Sequence, residues 1–425
     1  MTLVLITFAV LLLGGAPIAV AMCVPAVIYL VQSDLPFTVM TQRLTQSLNS
    51  FPLLAIPLFI LAGRLLNAGG VTDRIFRFAH NLVGSVPGGL GHVNVVGSLI
   101  FAGMSGTAIA DLGGIGQVEV RAMKKAGYPM RFTAGITAAS SIVGPVIPPS
   151  VPLILFAISS DTSVLALFAG GIVPGFVIGA FLMVAVYIYS RYADLPTVPW
   201  QGERALAISF FAALPPLFAP VLLIGGMMGG VFSPTEAAAV TVFYALFLAV
   251  VVYRDLRPSQ LPVLLLEMIP MIANLGFIIA ASLLFAWVLV IEQVPQLIVQ
   301  FLAHFSSDKW VLLTVVVLAF LVIGCFVEAT IVFLVVAPML LPTLKAVGIN
   351  EIHFGIITVV AMGIGLFTPP VGLALYMLRD MCEISFEEAV KAVAPFLIAL
   401  VAALALITYV PEIVLVVPRA LGLLR

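Results

Sequence analysis

The chain has 425 residues, of which 63% are hydrophobic and only 9% are charged. Soluble proteins carry roughly a quarter charged residues, so this composition excludes a soluble globular protein and indicates an integral membrane protein. The formal net charge of −1 argues against a nucleic-acid-binding surface, and the three cysteines and four histidines lack metal-ligand spacing.

The chain opens with an apolar run over 2–31, which is about 45 Å long as one helix and exceeds a bilayer core of about 30 Å. The sequence GGAP at 14–17 interrupts this run, so it forms either one long helix or two. A polar connection over 32–50 and an apolar segment over 51–66 follow. Residues 71–84 place apolar side chains on one face and arginines elsewhere, which predicts a helix lying in the membrane interface.

A re-entrant hairpin is predicted over 88–130. An apolar arm leads to a tip at Ser105–Thr107, and the second arm carries Asp111 and then a charged end with Glu119, Arg121, Lys124 and Lys125. Because these charges cannot lie at mid-bilayer, the chain should return to the side from which it entered. Asp111, on the second arm, is either a buried functional acid or a partner of nearby backbone N–H groups.

The stretch SSIVGPVIPPSVPL at 140–153 is apolar enough for a membrane, but its prolines prevent a continuous helix. We predict that one helix ends near Gly144 and that another begins at Pro148-Pro149, because proline suits a first helical position. The freed backbone groups cannot face lipid, so this break should lie inside the protein or line a cavity. The broken segment spans 131–157, and the helix 163–190 follows it.

The second half of the chain contains the same kinds of element. Ser233 and Glu236 have the spacing of a capping box that opens a membrane span. Glu328, an acid beside the second hairpin tip, is a candidate functional residue, because an acidic side chain inside a membrane costs free energy and is usually kept for a function. In order, the predicted elements are spans 207–227, 234–252 and 264–290, an amphipathic piece 292–304, a hairpin 309–345 with its tip near Gly324–Thr330, a broken segment 352–378 with its break at Gly365 and Pro369-Pro370, and a last helix 388–410.

An internal repeat relates the two halves. Several residues recur 221 positions apart, on the hairpin exits and the breaks, including Gly103/Gly324, Lys124/Lys345, Gly144/Gly365 and Pro148/Pro369. The predicted fold class is therefore an all-α polytopic membrane protein with two inverted-topology repeats, 1–204 and 205–425, each with a re-entrant hairpin and a broken helix. By the positive-inside rule, the first hairpin opens to the cytoplasm and both termini lie outside. Inverted repeats are typical of alternating-access transporters.

The breaks predict ion and substrate chemistry. Half-helix C-termini at Gly144 and Gly365 present carbonyl groups that can replace the water shell of a cation. Half-helix N-termini at Pro148–Ser150 and Pro369–Val371 present N–H groups that suit an anion. Small hydroxyls complete an oxygen shell for Na⁺, and they are Ser105, Thr107, Thr330 and Thr368. We therefore expect an anionic substrate, contacted by Pro148, Ser150 and Pro370, between two sodium sites.

Four motifs together resemble one family. GMSGTAIAD (103–111), GPVIPPS (144–150), GGVFSPTEAAAV (229–240) and GLFTPPVG (365–372) are similar to the large, DctM-like membrane subunit of TRAP (tripartite ATP-independent periplasmic) transporters. The resemblance covers essentially the whole chain. It implies a bacterial or archaeal inner-membrane importer of an organic acid, driven by a sodium gradient, in which hairpins and broken helices move together as an elevator.

The resemblance also implies partners and ligands. The partners are a small four-helix membrane subunit (DctQ-like), expected here as a separate protein, and a soluble periplasmic substrate-binding protein. The coupling ion is Na⁺, and no other metal or cofactor and no catalytic residue is expected. The implied sodium ligands are Ser105, Gly106, Thr107, Gly144, Ile147 and Pro149 at site 1, and Gly324, Glu328, Thr330, Gly365, Thr368 and Val371 at site 2. The two tips differ in sequence around Glu328.

Three other functions are alternatives to this one. A stand-alone sodium–dicarboxylate symporter of similar architecture would need no binding protein. A membrane-embedded enzyme would need a cluster of intramembrane catalytic groups, which the sequence lacks. An ion channel does not fit the two-fold layout with hairpins. The cargo stays open among C4-dicarboxylates, sugar acids such as sialic acid, and keto acids.

Overall fold

A computed structural model describes residues 2–297 and 308–424, which form helices and connecting segments without a strand. The prediction of an all-α polytopic membrane protein is confirmed, because seven helices in this part of the chain are long and apolar enough to cross a membrane. The amphipathic piece predicted over 292–304 lies largely outside the described residues. The seven helices are Phe51–Ala68, Val164–Tyr192, Glu203–Met228, Pro234–Val252, Pro258–Ile291, Ala329–Ala346 and Phe386–Tyr409.

The first apolar run forms two helices, Thr2–Leu13 and Ile18–Gln32, separated at GGAP. The predicted interfacial helix is Val71–Val83, which buries Val71, Ile75 and Ala79. Ser233 and Glu236 form the predicted capping box. The remaining helices outside the hairpins and breaks are Thr38–Leu48 and Glu412–Ala420.

Each hairpin consists of two helical arms joined at a short tip. The first hairpin has the arms Gly89–Ser105 and Ala108–Lys125, and the second has Lys309–Gly324 and Ala329–Ala346. In both hairpins a five-residue π-helical segment interrupts the second arm, at Leu112–Gly116 and Val332–Val336. Such π segments widen a helix locally and are frequent at functional sites. The division into inverted halves at 204/205 stays a prediction.

Both predicted breaks are present, but the helices restart later than expected. The first segment consists of Met130–Ser141 and Val151–Ser160, and the second consists of Glu351–Gly365 and Leu373–Cys382. The proline pairs therefore lie inside the unwound stretches, where Pro148-Pro149 and Pro369-Pro370 form cis peptide bonds. The expectation that they begin helices was wrong. Ser150 caps one new helix, and Gly372, in a left-handed conformation, precedes the other.

A proline-rich helix, Glu203–Met228, packs beside the first hairpin. Pro216 has no N–H group to donate to the carbonyl of Ala212, one turn earlier. The hydroxyl of Tyr253 donates to that carbonyl over 2.9 Å. A side chain from another helix thus donates a hydrogen bond to a backbone carbonyl that proline leaves without a donor.

Replacing Tyr253 with phenylalanine is expected to destabilise the protein by about 1 kcal/mol, because it leaves a partly buried acceptor unpaired. The ring itself, which lies under the Arg74 guanidinium, is kept. Thermal unfolding of the purified protein measures the effect. Tyr192→Phe is the matched control, since Tyr192 is 90% exposed. Equal midpoints for the two variants would contradict this role of Tyr253.

Candidate functional site

The tip of the first hairpin lies against the first break. Gly106 ends the first arm in a left-handed conformation (φ 68°), which favours glycine. Its carbonyl accepts a hydrogen bond from the Val151 N–H over 3.2 Å, and a β-carbon on Gly106 would lie 2.8 Å from the Pro149 carbonyl oxygen. Thr107 caps the second arm by accepting from the Ala110 N–H. The hairpin tip and the break therefore form one contact region.

Asp111 points at the same region. A β-carbon on Gly144 would lie 2.5 Å from Asp111 Oδ2, so the carboxylate packs directly against the break. Asp111 is 1% exposed, and neither of its oxygens has a hydrogen-bond partner in the described part of the chain. The interpretation that it bonds to nearby N–H groups was wrong. The Ser105 hydroxyl oxygen is likewise buried and lies next to the Asp111 carboxylate, with no other partner among these residues.

Buried oxygens have a large desolvation cost unless they accept a hydrogen bond or coordinate a cation. The two Asp111 carboxylate oxygens beside Gly144 and the neighbouring Ser105 hydroxyl oxygen meet this description. A small hard cation such as Na⁺ takes oxygen ligands of this kind and would neutralise the carboxylate. The residues at the first break thus fit a sodium ion. The Ile147 side chain faces elsewhere, packing against Gly175 of a neighbouring helix.

The hydroxyl of Ser150, which is predicted to contact substrate, already makes hydrogen bonds within the protein. Its hydroxyl donates to the Pro145 carbonyl over 2.5 Å and accepts from the Leu153 N–H. The Val151 N–H is bonded to Gly106, and Pro152 has no N–H to offer. The helix after the first break therefore offers no free N–H group within its first turn to an anion in this conformation.

The second hairpin tip also lies against its break. A β-carbon on Gly365 would lie 2.6 Å from the Gly324 α-carbon, so the two backbones touch. The Gly372 N–H donates to the Cys325 carbonyl over 3.3 Å. Only glycine allows so close an approach of two backbones. Each of the two glycines recurs from the first half of the chain, Gly324 from Gly103 and Gly365 from Gly144.

The remaining residues of predicted site 2 form two separate polar groups. Thr330 donates a hydrogen bond to Glu328 over 2.9 Å, at the hairpin tip. The Thr368 hydroxyl donates to the Ile364 carbonyl over 2.7 Å, at the helix end. No hydrogen bond joins these two groups within the described residues.

The two breaks differ in their access to solvent or lipid. Pro148 and Pro149 are buried, whereas Pro369 and Pro370 are exposed. No hydrogen bond involves the N–H groups of Val371 or Leu373 in the part of the chain that the structure covers. Two free donors beside an open surface suit an anionic group at the second break.

Sequence reasoning missed two features of the first hairpin. Asp111 was recognised as a possible functional acid but was not placed among the ligands. Glu119 was treated as part of the charged end of the hairpin, yet it is 1% exposed and both its carboxylate oxygens lack a partner within the described structure. The π segment between them has no sequence signal of its own.

Comparisons with known proteins agree with this architecture. Residues 5–413 match the family described as "Tripartite ATP-independent periplasmic transporter, DctM component". The chain is 39% identical to the sialic acid TRAP transporter large permease protein SiaM of Vibrio cholerae, over 96% of each chain. It is also 39% identical to the C4-dicarboxylate TRAP transporter large permease protein DctM of Pseudomonas aeruginosa, over 90% of this chain and 89% of that one.

A solved structure has a similar fold. It is the YdaH transporter of Alcanivorax borkumensis, which is described as having an unusual topology. The TM-score is 0.64 at 14% sequence identity, over 88% of this chain and 87% of the other. At this identity the likeness concerns the fold alone.

Proposed function

Because the chain belongs to the DctM-component family of tripartite ATP-independent periplasmic transporters, we propose that it imports an organic acid across the inner membrane, driven by a sodium gradient. Relatives in this family are named for sialic acid, C4-dicarboxylates and 2,3-diketo-L-gulonate. All three are carboxylates at neutral pH, so the cargo of this chain is proposed to be a small organic anion.

The observation that carries the sodium proposal is the unpartnered oxygen cluster at the first break. Asp111 and Ser105 contribute buried oxygens that have no hydrogen-bond partner among the described residues, and Gly144 leaves room beside them. Sodium at this position would balance the Asp111 charge and join the hairpin tip to the broken helix. The second sodium site is proposed at Gly324, Glu328, Thr330, Gly365, Thr368 and Val371.

The substrate carboxylate is proposed to bind at the second break rather than the first. The N–H groups of Val371 and Leu373 are unbonded within the described structure, and Pro370 is exposed beside them. At the first break, the Ser150 hydroxyl and the Val151 N–H are already bonded. The predicted contacts Pro148 and Ser150 would then shape the site without donating to the cargo.

The hairpins and broken helices are proposed to move together against the remaining helices. The first hairpin meets those helices at close, small-residue contacts, since a β-carbon on Gly63 would lie 2.6 Å from the Met104 carbonyl oxygen. A small four-helix membrane subunit and a soluble periplasmic binding protein are the proposed partners. The binding protein would deliver the cargo and select it.

Uptake by reconstituted vesicles tests this function. The chain, its small membrane subunit and the binding protein are placed in the system, a sodium gradient is imposed, and a panel of labelled organic acids is offered. We expect uptake of at least one acid that requires both the sodium gradient and the binding protein. Uptake by vesicles containing this chain alone would instead support a stand-alone symporter.

Replacing Thr368 with leucine is expected to weaken the sodium dependence of uptake roughly tenfold, because a hydroxyl at the helix end is lost. Protein expression should be unaffected. Thr7→Leu is a matched control. The Thr7 hydroxyl also donates to the carbonyl four residues earlier, that of Leu3, but Thr7 lies in the first helix of the chain, outside the predicted sites. An unchanged half-saturating sodium concentration in Thr368→Leu would count against this residue as a ligand.

A further inference from the structure

Glu119 is a buried acid for which sodium coupling gives no role. It lies on the second arm of the first hairpin, in the short helix Gln117–Lys125. Its carboxylate faces the first arm, where a β-carbon on Gly97 would lie 2.7 Å from Glu119 Oε1. Glycine at this position therefore provides the space that the carboxyl group occupies.

The π segment brings Glu119 and Asp111 to the same side of the arm. Eight residues of regular α-helix would leave two side chains about 80° apart around the axis. The π-helical turn Leu112–Gly116 contains one more residue than an α-helical turn, and this extra residue reduces the angle between the two side chains to about 20°. Both acids therefore lie on one side of the arm, Asp111 against the break and Glu119 against the first arm two turns away.

Packing alone does not require an acid at this position. In the second hairpin, the third residue after the π segment Val332–Val336 is Met339, which is buried and apolar. Glu119 is the third residue after the π segment of the first hairpin. The same architecture thus accepts an apolar side chain at the corresponding place.

No positive charge compensates Glu119 within the described residues. Among the basic groups nearby, Lys124 is paired with Glu383, Arg131 with Glu388 and Arg379 with Asp380. The titratable and charged groups on its own arm and on the elements packed against it are Asp111, Arg121, Lys124 and Lys125, His92 on the first arm, Asp73, Arg74, Arg77 and His80 on Val71–Val83, Arg131 on Met130–Ser141, and Tyr376, Arg379, Asp380 and Cys382 on Leu373–Cys382.

We propose that Glu119 is a proton-binding site of the first hairpin, which holds a proton while the hairpin is packed as it is here. An ionised carboxylate without a partner is very costly to bury, whereas the neutral acid costs far less. The proton comes from solvent, converting the carboxylate to the carboxylic acid, and it returns to solvent when the arm opens. Low pH therefore stabilises the packed hairpin over any conformation that exposes Glu119.

The effect of Glu119 on uptake rests on the proposed transport function, but proton binding by Glu119 can be measured without transport. Difference infrared spectroscopy of the purified chain in lipid, recorded across a pH series, detects the carbonyl stretch of a protonated carboxylic acid. In sodium buffer, where bound Na⁺ keeps Asp111 ionised, we expect this band at neutral pH in the wild type and its reduction in Glu119→Gln. Glu203→Gln, at an exposed acid, should keep the band. A band that persists unchanged in Glu119→Gln, or is absent from the wild type, would overturn the proposal.

Uptake under a fixed sodium gradient then tests the consequence. The wild-type rate is expected to depend on pH, and Glu119→Gln, which mimics the neutral acid, is expected to lose that dependence. A pH profile identical to that of the wild type would overturn the role of Glu119 in the cycle. If no uptake occurs at any pH while the infrared band behaves as expected, the transport function fails and the proton site stands.

Discussion

Asp111→Asn is expected to abolish sodium-dependent uptake by the reconstituted system. The amide keeps the shape of the side chain but removes the charge that would balance a bound cation. Breaking one partner of a buried charge pair costs about 3–5 kcal/mol, which corresponds to a loss of sodium affinity on the order of a hundredfold or more. Sodium titration of the purified chain by calorimetry and sodium-dependent uptake both measure this loss.

The control for Asp111→Asn is Glu203→Gln, which also neutralises one acid but at an exposed helix start. This control should bind sodium as the wild type does. Ser105→Ala, which removes the neighbouring unpartnered hydroxyl, should give a smaller loss, since a neutral ligand contributes less than a charged one. Wild-type sodium affinity in Asp111→Asn would exclude the carboxylate from the ion site.

Gly365→Ala is expected to prevent assembly of the second hairpin tip on its break. The added β-carbon would lie 2.6 Å from the Gly324 α-carbon and 2.7 Å from its carbonyl carbon. Because the neighbouring atoms belong to backbone, no side-chain rotation can relieve the overlap. Overpacking of this kind costs typically about 1–3 kcal/mol, and the displaced tip should also lose transport.

Chemical or thermal unfolding, together with uptake, measures the effect of Gly365→Ala. Gly225→Ala is the matched control, since it adds the same methyl group within a helix where no other atom lies within 4 Å. That control should be neutral or slightly stabilising, because alanine favours helix over glycine by about 1 kcal/mol. Similar stability and uptake for the two variants would contradict the glycine contact.

Sequence alone predicted the broken helices because their cause is local. Proline pairs in an apolar stretch deny the helix its hydrogen bonds wherever the chain goes, and the recurrence of Gly144 as Gly365 marked both breaks. The repeat also singled out Gly324 and Gly365, although not their contact with each other. These features depend on the residues themselves and on the requirement to satisfy backbone groups in lipid.

The exact restart of each helix was not predictable from the proline pairs. Ser150 competes with Pro148-Pro149 as a start signal, and its hydroxyl cap determines where the helix begins. In the second half, Gly372 takes that position through its left-handed backbone. A proline can occupy the first position of a helix, but its presence does not make a helix begin there.

The environments of the acids could not be inferred because they depend on packing between distant elements. Asp111 meets Gly144 across the hairpin-to-break contact, and Glu119 meets Gly97 across the two arms. A π segment rotates the arm between them by an amount that regular helical periodicity does not anticipate. Glu119 therefore looked like part of a charged, solvated end.

An experimental density map of the chain in a lipid bilayer, determined once in sodium and once with choline replacing sodium, tests the central claim most directly. We predict unwound peptide over 142–150 and 366–372, and a density peak among Ser105, Asp111 and Gly144 that is present in sodium and absent in choline. Continuous helices through 144–149 and 365–370, or identical density at Asp111 under both conditions, would contradict the account.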